Sequence, residues 1–306
     1  MKFTIFQETR IGRRAANQDR IAYSYSRDAL LLVVADGMGG HLHGEVAAQI
    51  AVQYITENFQ REAAPTIDDP VAFLSRVLNN AHHAIVDYAS DRLLKEAPRT
   101  TCVACLVQGN VAHWAHAGDS RLYLIRNGAL ASMTRDHSRV RLMVEDGVIS
   151  ESEAAVHPAR NRIFSCLGGS HMPQIEFSAP TPLREGDVLA MATDGVWGPL
   201  ITEQLTALLA GGSVMESVPR LLDLAAAQAG ETCDNQSIIA MNWEESYAGD
   251  TSGLVSTLAM PSDSFTTQMD GFARMRGNAA PGADLSEEDI ERAIAEIQAA
   301  IKKYSK

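Results

Sequence analysis

Five aspartates of this chain stand directly beside apolar segments that have the pattern of buried β-strands. The run Leu-Leu-Leu-Val-Val at residues 30–34 is followed by Asp36-Gly37, and a second apolar segment ends in Asp194-Gly195. The other three acids of this set are Asp19, Asp119 and Asp234. A single acid in such a place is an ordinary turn former or helix cap. Several acids at the edge of one apolar core cannot all be charged without a counter-charge, because burial penalises the ionised form.

The counter-charge that these segments favour is a divalent cation, because they contain few arginines and lysines. Carboxylate oxygens, a backbone carbonyl and water are the ligands that Mg²⁺ and Mn²⁺ prefer, and neither the cysteine nor the histidine spacings suggest zinc. Gly37 has no side chain, so its carbonyl can approach a cation held by Asp36. Four or five acids exceed what one Mg²⁺ uses, which implies two ions about 4 Å apart.

Composition excludes several classes of protein. The 306 residues are 46% hydrophobic and 21% charged, which is ordinary for a soluble globular protein. No segment is long and apolar enough to cross a bilayer, so we expect no membrane insertion. The formal net charge of −12 argues against a nucleic-acid surface. The first residues lack the pattern of a secretory signal, which predicts a cytoplasmic location.

The four cysteines are too few and too scattered for a disulfide framework. Cys102 and Cys105 have the spacing of a redox or zinc pair, but they lie in an alternating, strand-like run with no second pair nearby. Alternation places them on opposite faces of a strand. A metal or redox role for this pair is therefore the minor alternative.

Hydrophobic periodicity predicts an α+β fold. Helical spacing predicts two long helices, over about residues 47–61 and 71–94, and period-two runs from Thr101 predict an antiparallel meander with turns at Gly109-Asn110 and Asn127-Gly128. Strands clustered around paired helices, without regular βαβ alternation, indicate α+β layers. The remaining predicted elements are strands at Val188–Ala192 and Ser237–Trp243 and helices at about 202–209 and 215–229.

The chain divides into a main domain and an appendage. We predict one catalytic domain over residues 1–243, with a polar surface flap of two short helices at about 138–168. Residues 244–284 are rich in Gly, Ser, Thr, Met and Pro and are predicted to be a flexible linker. Residues 285–306 are predicted to form an amphipathic helix with a stripe of isoleucines. Two placements stay open for this helix, on a partner or back on the core.

Eight motifs follow one another along the chain: RRAANQD, VVADGMGGHLHGE, RTT, AHAGDSRLYLIRNG, MTRDHS, HPARNRIFSCLGG, ATDGVWG and DNQS. Taken together and in this order, they resemble the metal-dependent protein phosphatase family, also called protein phosphatase 2C or PPM, in its bacterial form. The match runs from about Gly12 to Ile239. It implies a central sandwich of two antiparallel sheets flanked by helix pairs, with a dinuclear Mn²⁺ or Mg²⁺ centre at one end and a flap beside it.

The resemblance implies a role for each matching residue. Asp36 resembles the carboxylate that bridges two metal ions, and Gly37 the residue that offers its carbonyl. Asp194 and Asp234 resemble the remaining protein ligands of the first ion. The other implied roles are support of the centre by Asp19, a third and weaker metal site at Asp119 with Asp194, phosphate binding by Arg14 and proton donation by His41.

The implied reaction is hydrolysis of phosphoserine and phosphothreonine in proteins by a metal-activated water, without a covalent intermediate. The implied partners are phosphoprotein substrates and a cognate Ser/Thr kinase that the enzyme opposes. His41 has an alternative role in orienting the site or starting a helix, because other family members place a histidine directly after Asp-Gly, where this chain has Met38.

Two other classes of function remain as alternatives. The first is a pseudophosphatase or a regulator that binds phosphoproteins with a vestigial site, but every expected acid is present. The second is a purely structural sandwich, which leaves the clustered acids unexplained. An enzyme is therefore the favoured interpretation.

Overall fold

The structure is a computed structural model that describes residues 1–38, 43–244, 253–271, 295 and 297–304. Within these residues, no helix has both the length and the apolar composition needed to cross a membrane. His41 and most of residues 285–306 lie outside the described residues.

The described chain alternates blocks of strands with pairs of helices. The first block and its helix pair are β1 (Lys2–Arg10), β2 (Asp19–Tyr25), β3 (Ala29–Met38), α1 (Gly44–Glu62) and α2 (Pro70–Asp91). Next come β4 (Arg99–Thr100), β5 (Cys102–Gln108), β6 (Val111–Ala117), β7 (Arg121–Arg126), β8 (Ala129–Met133), α3 (Arg139–Glu145), α4 (Glu151–Ala155), β9 (Leu167–Gly168), β10 (Glu176–Phe177) and β11 (Thr181–Pro182). The last are β12 (Val188–Ala192), α5 (Asp194–Trp197), α6 (Thr202–Leu209), α7 (Val214–Ala229), β13 (Gln236–Glu244), β14 (Leu254–Ser256) and β15 (Thr266–Asp270).

The strands form two antiparallel sheets that pack face to face. One sheet has the order β14-β1-β13-β12-β7-β8, and the other follows β10-β6-β5-β3-β2-β15, with the short strands β4, β9 and β11 attached beside it. One apolar cluster fills the space between the sheets. A second lies between the larger sheet and α1 with α2, and a third between the smaller sheet and α5 to α7. The predicted four-layer α+β sandwich is confirmed.

The central strands are apolar on both faces because each sheet is covered on both sides. In β3, for example, Leu31 and Val33 join the helix-side cluster, whereas Leu30 and Leu32 join the cluster between the sheets. Cys102 and Cys105 divide between the same two clusters as free, buried thiols. The predicted placement of these cysteines on opposite faces is confirmed.

The predicted meander is wrong in one respect. The strands β5 and β6 pair as a hairpin in the larger sheet, and β7 and β8 pair as a hairpin in the smaller sheet. The chain therefore crosses from one sheet to the other between Ala117 and Arg121. Alternating hydrophobicity identifies strands but does not specify which sheet receives them, since both sheets face the same core.

The segment predicted as a flexible linker, 244–284, contains two strands. Leu254–Ser256 pairs with the outer edge of β1, and Thr266–Asp270 pairs along β2. The linker prediction is therefore corrected for these two stretches, while residues 245–252 and 272–294 lie outside the described residues. Backbone hydrogen bonds to the edge strands of the two sheets order these stretches, although their composition alone does not predict strands.

The C-terminal helical segment, residues 297–303, contacts the helix pair α1 and α2. Ile297 and Ile301 are each 2% exposed within the helix-side core. The Tyr304 hydroxyl donates to Asp87 at 2.7 Å, and the Tyr54 hydroxyl donates to the Tyr304 carbonyl at 2.7 Å.

The predicted flap contains the two short helices α3 and α4. Ser138 caps α3, and Ser150 caps α4 in a reciprocal arrangement with Glu153. The flap ends at β9, which pairs with β4, and β4 pairs in turn with the end of β3. The C-terminal end of the flap is therefore tied to the end of the sandwich where β3 terminates.

Candidate metal centre

The topology brings the five aspartates to one end of the sandwich. Asp36 lies at the end of β3 and Asp19 at the start of β2. Asp194 follows β12, Asp234 precedes β13, and Asp119 lies in the crossover between β6 and β7. Because neighbouring strands are antiparallel, the end of one strand lies beside the start of the next. We call these five residues the aspartate rim.

Asp19 and Asp36 face each other across the pair β2 and β3. Asp19 is 1% exposed, and one carboxylate oxygen, Oδ2, accepts a hydrogen bond from the Thr193 hydroxyl at 2.9 Å. Its other oxygen, Oδ1, is buried without a hydrogen-bond partner among the described residues. Burial, and then the charges of nearby carboxylates, raise the pKa of Asp19 to about 7.

Asp194 begins the short helix α5 directly after β12. Burial, and then the charge of Asp234, raise the pKa of Asp194 to about 6. Burial, followed by the charges of Asp19 and Asp194, also raises the pKa of Asp36 well above its usual range.

Asp119 is positioned by the crossover between the two sheets. Gly118 has a φ of 113°, and a Cβ there would lie 2.7 Å from the side chain of Thr101, so this turn requires glycine. Asp119 is 7% exposed. Burial and the charge of Asp194 raise the pKa of Asp119 well above its usual range, although Arg121 opposes this shift.

Arg14 and Asp234 form an ion pair at the open side of the rim. The Arg14 Nη2 atom lies 2.5 Å from Asp234 Oδ2, and the Arg14 side chain is 58% exposed. The loop that carries Arg14 is held by Asn235, whose Nδ2 donates to the carbonyls of Ile11 and Ala16 at 2.8 and 3.0 Å. Arg14 is therefore fixed beside the acids and faces solvent.

Gly37 is required by close backbone packing. A Cβ at this position would lie 2.3 Å from the Gly44 carbonyl oxygen and 2.7 Å from that of Gln18. This approach joins the end of β3 to the start of α1. The structure thus gives a steric reason for glycine, in addition to the carbonyl role implied by the resemblance.

Several residues that hold the rim were not identified from the sequence as site residues. Thr193 donates to Asp19, and Thr101 Oγ1 accepts from the Asp36 backbone N–H at 3.0 Å and hydrogen-bonds Ser120 at 2.7 Å. Asn235 holds the Arg14 loop. Their sequence positions could have indicated this role, because all of them lie inside the eight motifs. Each is either within two residues of an acid of the aspartate rim or part of the Thr-Thr pair.

The rim fits a divalent cation on grounds of its own chemistry. It combines a buried oxygen of Asp19 that has no hydrogen-bond partner among the described residues with carboxyl pKa values raised by burial and by neighbouring carboxylates. Arg14 pairs with Asp234 at its edge, and Arg121 lies beside Asp119, where it is paired with Asp136. Converging carboxylate oxygens with little positive charge among them are a suitable ligand set for Mg²⁺ or Mn²⁺.

Comparisons with known proteins agree with this geometry. The family model described as Protein phosphatase 2C matches residues 7–227. The serine/threonine protein phosphatase PstP of Mycobacterium tuberculosis is 34% identical over 227 residues, which are 74% of this chain and 42% of that protein. A putative protein phosphatase 2C-type of Streptococcus pyogenes is 29% identical over 240 residues, 78% of this chain and 96% of that protein. This chain thus spans about two fifths of the length of the mycobacterial relative.

Solved structures have the same architecture. The serine/threonine phosphatase Stp1 of Staphylococcus aureus superposes with a TM-score of 0.72 at 27% identity, covering 79% of this chain and 95% of that one. The catalytic domain of PstP in complex with two manganese ions gives a TM-score of 0.69 at 30% identity, with 80% and 99% covered.

Proposed function

This chain belongs to the protein phosphatase 2C family, and from that membership we propose that it is a serine/threonine protein phosphatase. The proposed reaction is hydrolysis of phosphate monoesters on phosphoproteins with Mn²⁺ or Mg²⁺. The observation that carries the proposal is the convergence of five aspartates at the rim, where burial and neighbouring carboxylates raise the pKa values of Asp19 and Asp36.

The rim supplies the proposed cation ligands. Asp36 would serve both ions, the Gly37 carbonyl would add a ligand, and Asp194 and Asp234 would complete the protein ligands of the first ion. Asp19 would support the centre, and Asp119 with Asp194 would form a third, weaker site. Bound cations supply Lewis-acid activation of water and neutralise charge on the phosphoryl group.

Arg14 is the proposed phosphate ligand. Its planar guanidinium can hold two phosphoryl oxygens at once, which lysine cannot do. In the structure this group pairs with Asp234. Once Asp234 serves a cation, its negative charge is shared and the exposed guanidinium is available to the phosphoryl group.

His41 is the proposed proton donor to the leaving oxygen, on the motif match alone. Replacing a general acid slows substrates with poor leaving groups more than those with good ones. His41→Gln should therefore reduce kcat for phenyl phosphate much more than for p-nitrophenyl phosphate. Equal losses on the two substrates would assign His41 an orienting role instead.

Metal-dependent activity is the direct test of the proposed function. The chain should release phosphate from a phosphothreonine peptide in Mn²⁺ and lose this activity in chelator. Asp36→Asn and Asp194→Asn should each lower kcat by about 10³-fold, the scale for loss of a principal electrostatic stabiliser. Asp68→Asn, at an exposed position away from the rim, is the matched control.

Two results would contradict the proposal. Activity that survives chelation would indicate other chemistry. Phosphopeptide binding without turnover in Mn²⁺ or Mg²⁺ would indicate a pseudophosphatase.

A cognate Ser/Thr kinase is the expected partner, because a phosphatase for phosphoserine and phosphothreonine opposes the kinase that forms them. Phosphoproteomes of a strain that lacks the gene and of its parent should differ at phosphoserine and phosphothreonine sites. The cytoplasmic location stays a prediction.

We further propose that the C-terminal helical segment docks on this chain's own core rather than on a partner. The burial of Ile297 and Ile301 and the two hydrogen bonds of Tyr304 support this placement.

A further inference from the structure

A second group of possible metal ligands lies outside the aspartate rim. His116, His137 and Glu176 each offer one ligand atom, and these atoms all lie within 4.8 Å of one another. His116 is on β6, Glu176 is its direct cross-strand partner on β10, and His137 immediately precedes the flap. The two imidazole rings stack at a centroid distance of 4.6 Å. We call these three residues the histidine group.

His116 is oriented as a metal ligand. Its Nε2 lies 2.7 Å from the Arg135 carbonyl oxygen, which can only accept, so Nε2 carries the ring proton. The lone pair is then on Nδ1, which is buried and has no hydrogen-bond partner among the described residues. A histidine ligand commonly donates its other ring N–H to a carbonyl in this way.

His137 contributes the second unpaired nitrogen. Its Nε2 is buried without a hydrogen bond and lies 3.5 Å from Glu176 Oε2. The side chains of both histidines are almost fully buried, and burial keeps the rings neutral: it lowers the pKa of His137 to about 4 and that of His116 below its usual value. Two buried polar atoms without partners are costly unless another group satisfies them.

Binding through His137 Nε2 has one cost. The Gly118 N–H donates to His137 Nδ1 at 3.3 Å, so in the free chain the ring proton is on Nε2. A cation on Nε2 moves this proton to Nδ1 and gives up the Gly118 hydrogen bond. The change leaves the buried Gly118 N–H without an acceptor and opposite another N–H, so affinity should be lower than at a closed structural zinc site.

A cavity gives access to the group. His116 and Glu176 line it together with Ser132, Thr134 and Ser178, and its volume is about 240 Å³. The Glu176 side chain is 44% exposed, so it can turn toward a cation at little cost. Space for water remains beside His116 and Glu176.

We propose that His116, His137 and Glu176 form a second metal site, which takes Zn²⁺ or a similar late transition-metal cation. Two imidazole nitrogens, one carboxylate and an open position are the ligand set of zinc rather than of Mg²⁺. The site joins the edge of the larger sheet to the start of the flap. Because it also contacts Gly118, its occupancy bears directly on the loop that carries Asp119.

The test measures zinc binding without using activity, so it is independent of the proposed phosphatase function. The double variant Asp36→Asn/Asp194→Asn of the full chain removes two proposed cation ligands of the aspartate rim. In this background, Zn²⁺ titrated against a chromophoric chelator should bind at one equivalent. Co²⁺ in its place should give visible absorption bands of a four- or five-coordinate site.

Variants of the histidine group decide the outcome. Glu176→Gln, which is isosteric and partly exposed, should weaken zinc binding by more than the roughly 10–100-fold typical of changes around a metal site. His116→Gln should abolish the Co²⁺ bands, whereas Glu203→Gln on exposed α6 should change nothing. Absence of zinc binding in the background, or binding that both variants leave intact, would overturn the proposal. Thermal unfolding in chelator verifies that each variant is folded.

Discussion

The aspartate rim and the histidine group both adjoin Gly118, and burial shifts their pKa values in opposite directions. It raises the pKa of Asp19 to about 7 and lowers that of His137 to about 4. In both places the neutral form is favoured, because a low-dielectric environment penalises charge of either sign. A cation at the rim must displace protons, whereas a cation at the neutral imidazoles only moves the ring proton of His137 from Nε2 to Nδ1. One end of a single sandwich thus offers oxygen ligands to a hard cation and nitrogen ligands to a softer one.

A buried ion pair connects the two regions. Arg121, two residues after Asp119, binds both carboxylate oxygens of Asp136, the residue before His137, at 2.8 and 2.7 Å. The guanidinium also lies 3.5 Å above the ring of Trp197 on α5, the helix that begins with Asp194. The rim and the histidine group therefore share a rigid support.

The largest effect that separates the two regions should come from Arg14. Arg14→Lys keeps the charge but loses bidentate geometry, so kcat/KM for a phosphopeptide should fall by about 10–100-fold, as expected for charge-assisted hydrogen bonds. Zinc binding at the histidine group should be unchanged. Arg13→Lys, a neighbouring exposed arginine, is the control. Equal activity of Arg14→Lys and the parent would remove Arg14 from the phosphate site.

The cation-free rim should make stability depend on pH. The pKa of Asp19 rises from 3.8 to about 7 in the folded chain, so the folded state holds a proton that the unfolded state releases in this window. In chelator, the contribution of Asp19 to the free energy of unfolding is therefore greatest below about pH 4 and falls as the pH rises toward 7. At about 1.4 kcal/mol per pKa unit, this shift corresponds to a loss of at most about 4 kcal/mol, which coupling among the acids reduces.

Urea unfolding at pH 5 and pH 7.5 measures this dependence. In chelator the free energy of unfolding should be lower at pH 7.5, and saturating Mn²⁺ should remove the loss because a cation replaces the protons. Asp19→Asn should make the free energy of unfolding in chelator less dependent on pH. A stability that rises with pH in chelator would contradict the rim electrostatics.

Arg121→Lys should disturb both regions at once. Lysine cannot make the bidentate contact with Asp136 and leaves a buried charge imperfectly paired, which should cost about 1–3 kcal/mol of stability. Mn²⁺-dependent activity and zinc affinity should both decline. A variant in which only one of them declines would show that the two regions do not share this support. Arg126→Lys, at the similar bidentate pair with Asp187, controls for stability alone.

The smallest effect should come from Tyr304, which is remote from both regions. Tyr304→Phe removes the hydroxyl that donates to Asp87 and should lower the free energy of unfolding by about 1 kcal/mol. Activity and zinc binding should stay at parental values. Tyr25→Phe, which retains its ring contacts, is a comparison variant. No loss of stability in Tyr304→Phe would argue against docking of the C-terminal segment on α1 and α2.

The sequence predicts the aspartate rim better than the histidine group for a physical reason. Each rim acid stands at the end of an apolar run, and antiparallel strands bring such ends together, so local pattern is sufficient. His116, His137 and Glu176 are far apart in the chain, and none has ligand spacing with another. They meet only because β10 pairs with β6 in one register and the residue before the flap folds back onto Gly118.

The same distinction applies to the fold. Periodicity located β12 and α6 to the residue, because their apolar faces are set locally. It did not locate β14, which has only three residues, or β15, whose sequence is largely polar, because both form by pairing with strands distant in the chain. The crossover at Asp119 was missed for a related reason, since hairpin pattern contains no information about which sheet the next strand joins.

The strands β14 and β15 occupy the outer borders of β1 and β2, one on each sheet. Without them, each border would present a row of unsatisfied backbone groups to solvent, a surface on which other chains can add strands and aggregate. Removal of the residues after 243 should therefore leave the reaction centre complete but make the protein prone to self-association. These two strands therefore shield the sheet borders from pairing with other chains.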